Sequence, residues 1–213
     1  MTDLGFVHKF VPSPSGARLT LLLLHGTGGD EDDLLHLGRE LSLEAALLSP
    51  RGRVLENGMP RFFRRLAEGV FDIQDLTLQT HALAKFVAAA SKEYKLDPKG
   101  VVAVGYSNGA NIAGSTLILH PEALAGAVLI RPMVPFMPDS PPDLSGEPIL
   151  ILAGKRDSLV PREETERLAG ILSRSGADVK VGWAEAAHSI TGAEVTEARG
   201  WLAVKFPAER SRA

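Results

Sequence analysis

Six short β-rich runs punctuate this chain: Leu19–Leu24, Ala45–Leu48, Val101–Val104, Gly126–Ile130, Ile149–Ala153 and Val179–Trp183. Most are apolar throughout, without polar alternation. A strand facing water on one side alternates, so strands of this kind are covered on both faces. Helical patterns lie between them, over Asp32–Leu41, Gln74–Tyr94, Asn108–Leu119, Arg162–Ser173 and Gly192–Phe206. In the longest, Leu76, Thr80, Leu83, Val87, Ala90 and Tyr94 form one stripe at three-four spacing. Thr191 and Glu194 have capping-box spacing at the start of the last. Strands and helices in alternation imply a doubly wound, mostly parallel sheet with right-handed crossovers, flanked by helices. Phe6–Val11 is expected at its edge. A length of 213 residues fits one such domain, 1–213.

In an open α/β sheet the strand C-terminal ends build the site, which directs attention to the loops there. Val101–Val104 runs into Gly105-Tyr106-Ser107-Asn108-Gly109, and the Asn108–Leu119 helix follows. In a strand, G-x-S-x-G turn and helix, the turn lifts the serine hydroxyl clear of the backbone. The flanking glycines let helix and strand cross closely. A serine needs a histidine base, and the histidine a carboxylate to fix its tautomer. Asp157 lies just past Ile149–Ala153, and His188 between the strand ending near Trp183 and the last helix. Asp139, Asp143, Asp178 and Glu185 compete as acids, but none follows a buried strand so directly. The histidines at 8, 36, 81 and 120 have no comparable setting.

The loop His25-Gly26-Thr27-Gly28-Gly29-Asp30 ends the Leu19–Leu24 strand. Its Thr27 N–H and that of Asn108 are the expected oxyanion donors. The loop lacks the G-K-[ST] ending of a phosphate-binding loop, and acids follow it. Those acids, Asp30–Asp33, are read as the cap and first turn of a helix. His25 is expected to brace the loop.

Composition removes other classes. A net charge of -3 argues against a general nucleic-acid binder. No apolar run approaches the roughly 18 residues of a membrane span, and the N-terminus has no basic region of a signal peptide; a cytoplasmic location is expected. The absence of cysteine excludes disulfides, thiolate metal sites and a cysteine nucleophile. No His and carboxylate spacing suits a metal, so no metal is expected.

Two long connections, 49–73 and 131–148, are expected to be functional loops. Met59, Phe62 and Phe63 are candidates to line an acyl or aromatic pocket, with Arg64 and its neighbouring arginines attracting an anion. Equally, the aromatics plug the core. Met133 in the second loop is a further candidate wall, or part of a homodimer contact. Glu209–Arg212 reads as a solvated tail.

Together, residues 25–31, Ser49-Pro50-Arg51-Gly52, Gly105–Asn111, Gly154–Asp157 with Val160-Pro161, and His188 resemble the phospholipase/carboxylesterase family of α/β-hydrolases. That family includes small bacterial carboxylesterases and acyl-protein thioesterases, with dienelactone hydrolase more distant. The resemblance implies an α/β-hydrolase fold without a large cap domain. It implies cofactor-free hydrolysis of a small-molecule ester or thioester by Ser107, Asp157 and His188, with Thr27 and Asn108 as oxyanion donors. Ala187 replaces the glycine usual before the histidine, and Asn108 the glutamine of the thioesterase branch, which points to the esterases. An acyl thioesterase or lysophospholipase, and a non-catalytic ester or lactone binder, are the alternatives.

Overall fold

The computed structural model describes residues 4–207, so Glu209–Arg212 lie outside the described residues. The strands in chain order are β1 (His8–Val11), β2 (Thr20–Leu24), β3 (Ala46–Pro50), the short β4 (Val54–Glu56), β5 (Met59–Arg61), β6 (Arg65–Ala67) and β7 (Val70–Phe71), then β8 (Val101–Tyr106), β9 (Ala127–Ile130), β10 (Pro148–Gly154) and β11 (Asp178–Ala184). The helices are α1 (Leu35–Leu41), α2 (Ile73–Tyr94), α3 (Asn108–Leu119), α4 (Arg162–Arg174) and α5 (Gly192–Lys205).

Seven strands form one sheet in the order β1-β3-β2-β8-β9-β10-β11, and only β1 is antiparallel to its neighbour. The apolar runs of β2, β3, β8, β9 and β10 are buried on both faces, as their lack of alternation implies, whereas the edge strand β11 alternates between exposed and half-buried residues. In β2, Leu22 and Leu24 join a core with residues of α2, α3 and α4. Leu21 and Leu23 join a second core with residues of α1 and α5. The same two-residue alternation divides Val101 and Ala103 from Val102 and Val104 in β8. Because β2, β8, β9, β10 and β11 run parallel, their C-terminal ends share one edge.

Helix starts follow local chemistry. The Asp72 side chain accepts from the Asp75 N–H to cap α2, and Thr191 and Glu194 form the expected capping box of α5. The Asp30–Asp33 run does not open α1, which begins at Leu35 without a side-chain cap. Asp30 Oδ1 instead accepts the Asp32 N–H at 2.9 Å, and Glu31 is held by Arg51 at 2.5 and 2.8 Å. These local bonds offer the backbone an alternative to the helix.

The 49–73 connection is not a bare loop. It folds as two antiparallel hairpins, β4–β5 and β6–β7. Asn57 and Gly58 turn the first with φ of 52° and 81°, the conformation a two-residue hairpin turn demands. Of the 131–148 connection, residues 131–147 carry no helix or strand, and Pro148 opens β10.

The tightest packing lies where α3 crosses β8. A Cβ on Gly109 would stand 1.9 Å from the Leu24 carbonyl oxygen, and one on Gly105 would stand 2.6 Å from the Gly109 oxygen. Backbone cannot yield as a flexible side chain does. Gly109→Ala is therefore expected to cost at least about 1–3 kcal/mol and to lower the melting temperature by roughly 2–4 °C per kcal/mol. Gly200→Ala, in α5 with open space around it, is expected to raise the melting temperature through helix propensity. Calorimetry of both variants checks the contrast; a neutral Gly109→Ala would contradict the close crossing.

Candidate active site

Ser107 follows the last residue of β8 and is the N-cap of α3, at φ 52° and ψ -112°. This is a rare conformation for a residue with a Cβ. It is held by the Ser107 N–H, which donates to the Ile130 oxygen at 2.9 Å, and by the glycine crossing beneath. The hydroxyl Oγ lies 2.9 Å from His188 Nε2. His188 Nδ1 lies 2.8 Å from Asp157 Oδ2. The other Asp157 oxygen accepts from the Leu159 N–H at 2.9 Å and the Val160 N–H at 3.2 Å. An ionised aspartate can only accept, so Nδ1 carries the proton and Nε2 is free to accept from Ser107. The Asp157 carboxylate is 1% exposed and the His188 ring 23% exposed, so the acid is sealed while the base stays open to the cavity. Three sequence candidates from separate strand ends thus meet in one hydrogen-bonded chain.

Thr27 and Asn108 line the same cavity, of about 60 Å³. Among the described residues, no hydrogen bond takes up the backbone N–H of either. At Asn108 this is a first-turn donor that has no acceptor within the helix. The Asn108 side chain points elsewhere. Its Oδ1 accepts the Phe62 N–H at 2.7 Å, while its buried Nδ2 has no partner. Two larger clefts, of about 420 and 390 Å³, lie at the opposite edge, near the starts of β2, β3 and β8, far from this chemistry.

The candidate wall residues divide. Met133 lines the cavity. Phe62 and Phe63 do not: they are 1% and 0% exposed, in the main core, so the core-plug reading holds. Arg64 turns away to Asp72, at 3.1 Å. Met59 packs toward Gly28 rather than into the cavity. Arg61, Arg65, Phe71, Asn111, Leu159 and Val160 take their places. Arg61 is buried and donates to Thr27 Oγ1 at 2.7 Å.

Arg131, the residue after β9, was not foreseen. Its side chain is fully buried. It donates to the carbonyls of Ala187 (3.0 Å), Ser189 (2.7 Å) and Leu152 (3.1 Å), and to Glu194 at 2.5 and 3.0 Å. Burial works to raise the Glu194 carboxyl, but hydrogen bonds from Arg131 and Thr191 outweigh it and hold the group below the ordinary carboxylate range. An arginine directly after an apolar strand, on the edge that carries the site, was the available clue.

His25 braces its loop as expected. Its Nε2 accepts the Gly52 N–H at 2.9 Å, so Nδ1 carries the proton and donates to the Gly26 oxygen at 2.6 Å. Burial pushes its pKa below the ordinary histidine value of 6.5. In the window below 6.5 the unfolded chain binds a proton that the folded chain refuses, so stability rises with pH there. The contribution of His25 is complete above 6.5 and is lost as pH falls. The stability difference between the native chain and His25→Ala is expected to shrink in urea titrations taken from pH 8 down to pH 5. A constant difference would contradict the buried neutral ring.

Among the described residues, no helix is long and apolar enough to cross a membrane, and no group of three or more His, Asp or Glu is arranged to hold a metal ion. Comparison with known proteins agrees with the fold. The crystal structure of the Bacillus cereus carboxylesterase superimposes with a TM-score of 0.91 at 47% identity, covering 93% of each chain. A carboxylesterase from Mesorhizobium loti superimposes at 0.89 with 34% identity, covering 95% of this chain and 97% of its own. MhqD of Bacillus subtilis (strain 168) is 51% identical over 181 residues, 85% of this chain and 90% of that protein. Residues 64–200 match the dienelactone hydrolase family, and with these relatives they place the chain in that family of hydrolases.

Proposed function

We propose that this chain is a single-domain serine carboxylesterase that hydrolyses small or medium carboxylic esters through an acyl-enzyme. The observation that carries the reading is the unbroken chain Ser107–His188–Asp157, at 2.9 and 2.8 Å, opening on a cavity also lined by Thr27 and Asn108. Likeness to the Bacillus cereus and Mesorhizobium loti carboxylesterases supports the bond type.

As Ser107 Oγ attacks the ester carbonyl carbon, His188 Nε2 takes its proton. Asp157 stabilises the imidazolium and does not itself become protonated. The carbonyl oxygen gains negative charge and is held by the N–H groups of Thr27 and Asn108. The tetrahedral intermediate collapses, the C–O bond to the alcohol breaks, and His188 returns the proton to the departing oxygen. Water, deprotonated by His188, then attacks the acyl-serine and releases the carboxylic acid and free Ser107. Every proton taken is returned within each half-reaction, so no further acid or base is needed.

The cavity sets the scale of the acyl group. Met133, Leu159, Val160 and Phe71 give it apolar lining, and Arg61, Arg65 and Glu68 charged lining. At about 60 Å³ it suits a short chain. Each methylene gained or lost in a hydrophobic pocket changes kcat/KM about 10–200-fold.

A fluorophosphonate is expected to label Ser107, and Ser107→Ala to lower kcat for p-nitrophenyl acetate by about 10⁴-fold or more. Retained turnover in that variant would sink the serine mechanism. Acetate and butyrate esters are expected to outpace octanoate at least about tenfold. A preference for acyl thioesters over oxygen esters of equal length would redirect the reading to a thioesterase. Binding without turnover or label would redirect it to a non-catalytic binder.

A further inference from the structure

We propose that Arg131 is a positioning residue for the hydrolysis, holding His188 and Asp157 in register with Ser107; the inference rests on the triad reading above. Its guanidinium has five N–H donors, and each has one acceptor. Nε donates to the Ala187 oxygen, Nη1 to the Leu152 oxygen and Glu194 Oε1, and Nη2 to the Ser189 oxygen and Glu194 Oε2. The two loop carbonyls are those on either side of His188. One planar group therefore grips the histidine loop before and after the base, and ties it to the end of β10 and the first turn of α5.

It also reaches the acid. Nε lies 3.8 Å from Asp157 Oδ2, the oxygen that accepts from His188 Nδ1. Arg131 is itself fixed at φ 56°, and its backbone N–H donates to the Leu152 oxygen at 2.9 Å. The start of the segment it grips is held by Arg156, whose backbone N–H donates to the Ala186 oxygen at 3.0 Å and whose Nη2 donates to the Glu185 oxygen at 2.6 Å. Residues 185–190 lie in no helix or strand. Among the described residues, the Ala187 and Ser189 oxygens accept from Arg131 alone, and the His188 oxygen accepts only from the Tyr106 hydroxyl, at 3.2 Å.

The energetics separate this role from a merely stabilising one. Removing one partner of a buried ion pair is strongly destabilising, whereas apolar side chains of the same volume in place of the whole pair often do as well. What they cannot supply is the fork. Lysine retains the charge but has three rotating donors and no plane, so it cannot span four partners at fixed angles. Displacing a catalytic group by about 1 Å costs on the order of 100-fold in rate.

The test uses Arg131→Lys, Arg131→Met and Arg131→Ala, each measured per folded molecule. All three are expected to lose about 100-fold in kcat with p-nitrophenyl acetate, with KM little changed and fluorophosphonate labelling of Ser107 slowed in parallel. Millimolar guanidinium is expected to restore part of the kcat lost in Arg131→Ala, and urea at the same concentration is not. Leu168→Ala, a core truncation in α4 away from the site, is expected to lower stability but leave kcat per folded molecule unchanged. Should the arginine variants not fold, Glu194→Gln removes the charge opposite Arg131 while keeping the shape, and is expected to lower kcat without raising KM.

Labelling and kcat at native levels in folded Arg131 variants would overturn the proposal, as would absence of rescue by guanidinium or equal rescue by urea. Loss of folding in all four site variants would mark a purely structural group and overturn it as well. These failures differ from failure of the triad, which would appear as turnover in Ser107→Ala.

Discussion

The site depends on one close approach of backbone to backbone. Where α3 leaves β8, Gly109 presses on the Leu24 carbonyl and Gly105 on the Gly109 carbonyl. No side chain fits between. The helix can therefore start immediately after the strand, and Ser107 is pushed into the conformation that lifts its hydroxyl over the sheet edge. Leu24 is also the last residue before the loop that carries Thr27. The contact that shapes the serine turn thus fixes its separation from the neighbouring strand and from the second proposed oxyanion donor. The parallel register does the rest, since Leu24 pairs with Gly105, Tyr106 with Ile130, and Gly154 with Ala184. Each pair launches two of the loops that meet at the cavity.

Beneath that edge lies a second layer of polar chemistry. Glu194 closes the capping box of α5 with Thr191 and also receives Arg131. Its carboxyl, held ionised by those partners against burial, links a helix start to the histidine loop. His25 does the reverse on the other arm: it remains neutral through burial and uses both ring nitrogens to tie residues 26 and 52. One arm is fastened by charge and the other by a tautomer.

Much of this was legible in the sequence. The apolar runs set strand number and parallel direction, because covered strands leave no alternation. The serine turn, Asp157 and His188 were legible because each sits directly past such a run. The rest escaped for definite reasons. The hairpin at Asn57-Gly58 had its turn signal, but its strands are only three residues long and too short for periodicity. Phe62 and Phe63 were ambiguous because an aromatic pair inside a basic stretch suits a pocket or a core equally. Only the tertiary position of α2 and α3 decides for the core. The acids at 30–33 looked like a helix start, and distant Arg51 took one of them. Arg131 reads as an ordinary surface arginine until the loop carbonyls it serves, more than fifty residues away, are in place.

The hairpin segment has a consequence for how such an enzyme diversifies. Residues 52–65 supply Arg61 and Arg65 to the cavity rim. They also bury Phe62 and Phe63, pair Pro60 with Gly28 at 2.9 Å, and pair Phe62 with Asn108. A segment exchanged between relatives to alter substrate choice would carry core, wall and proposed oxyanion support as one module. Substitutions at the buried Arg61, Phe62 and Phe63 act on residues that join core and cavity lining, whereas the exposed Leu55, Asn57 and Gly58 lie outside both.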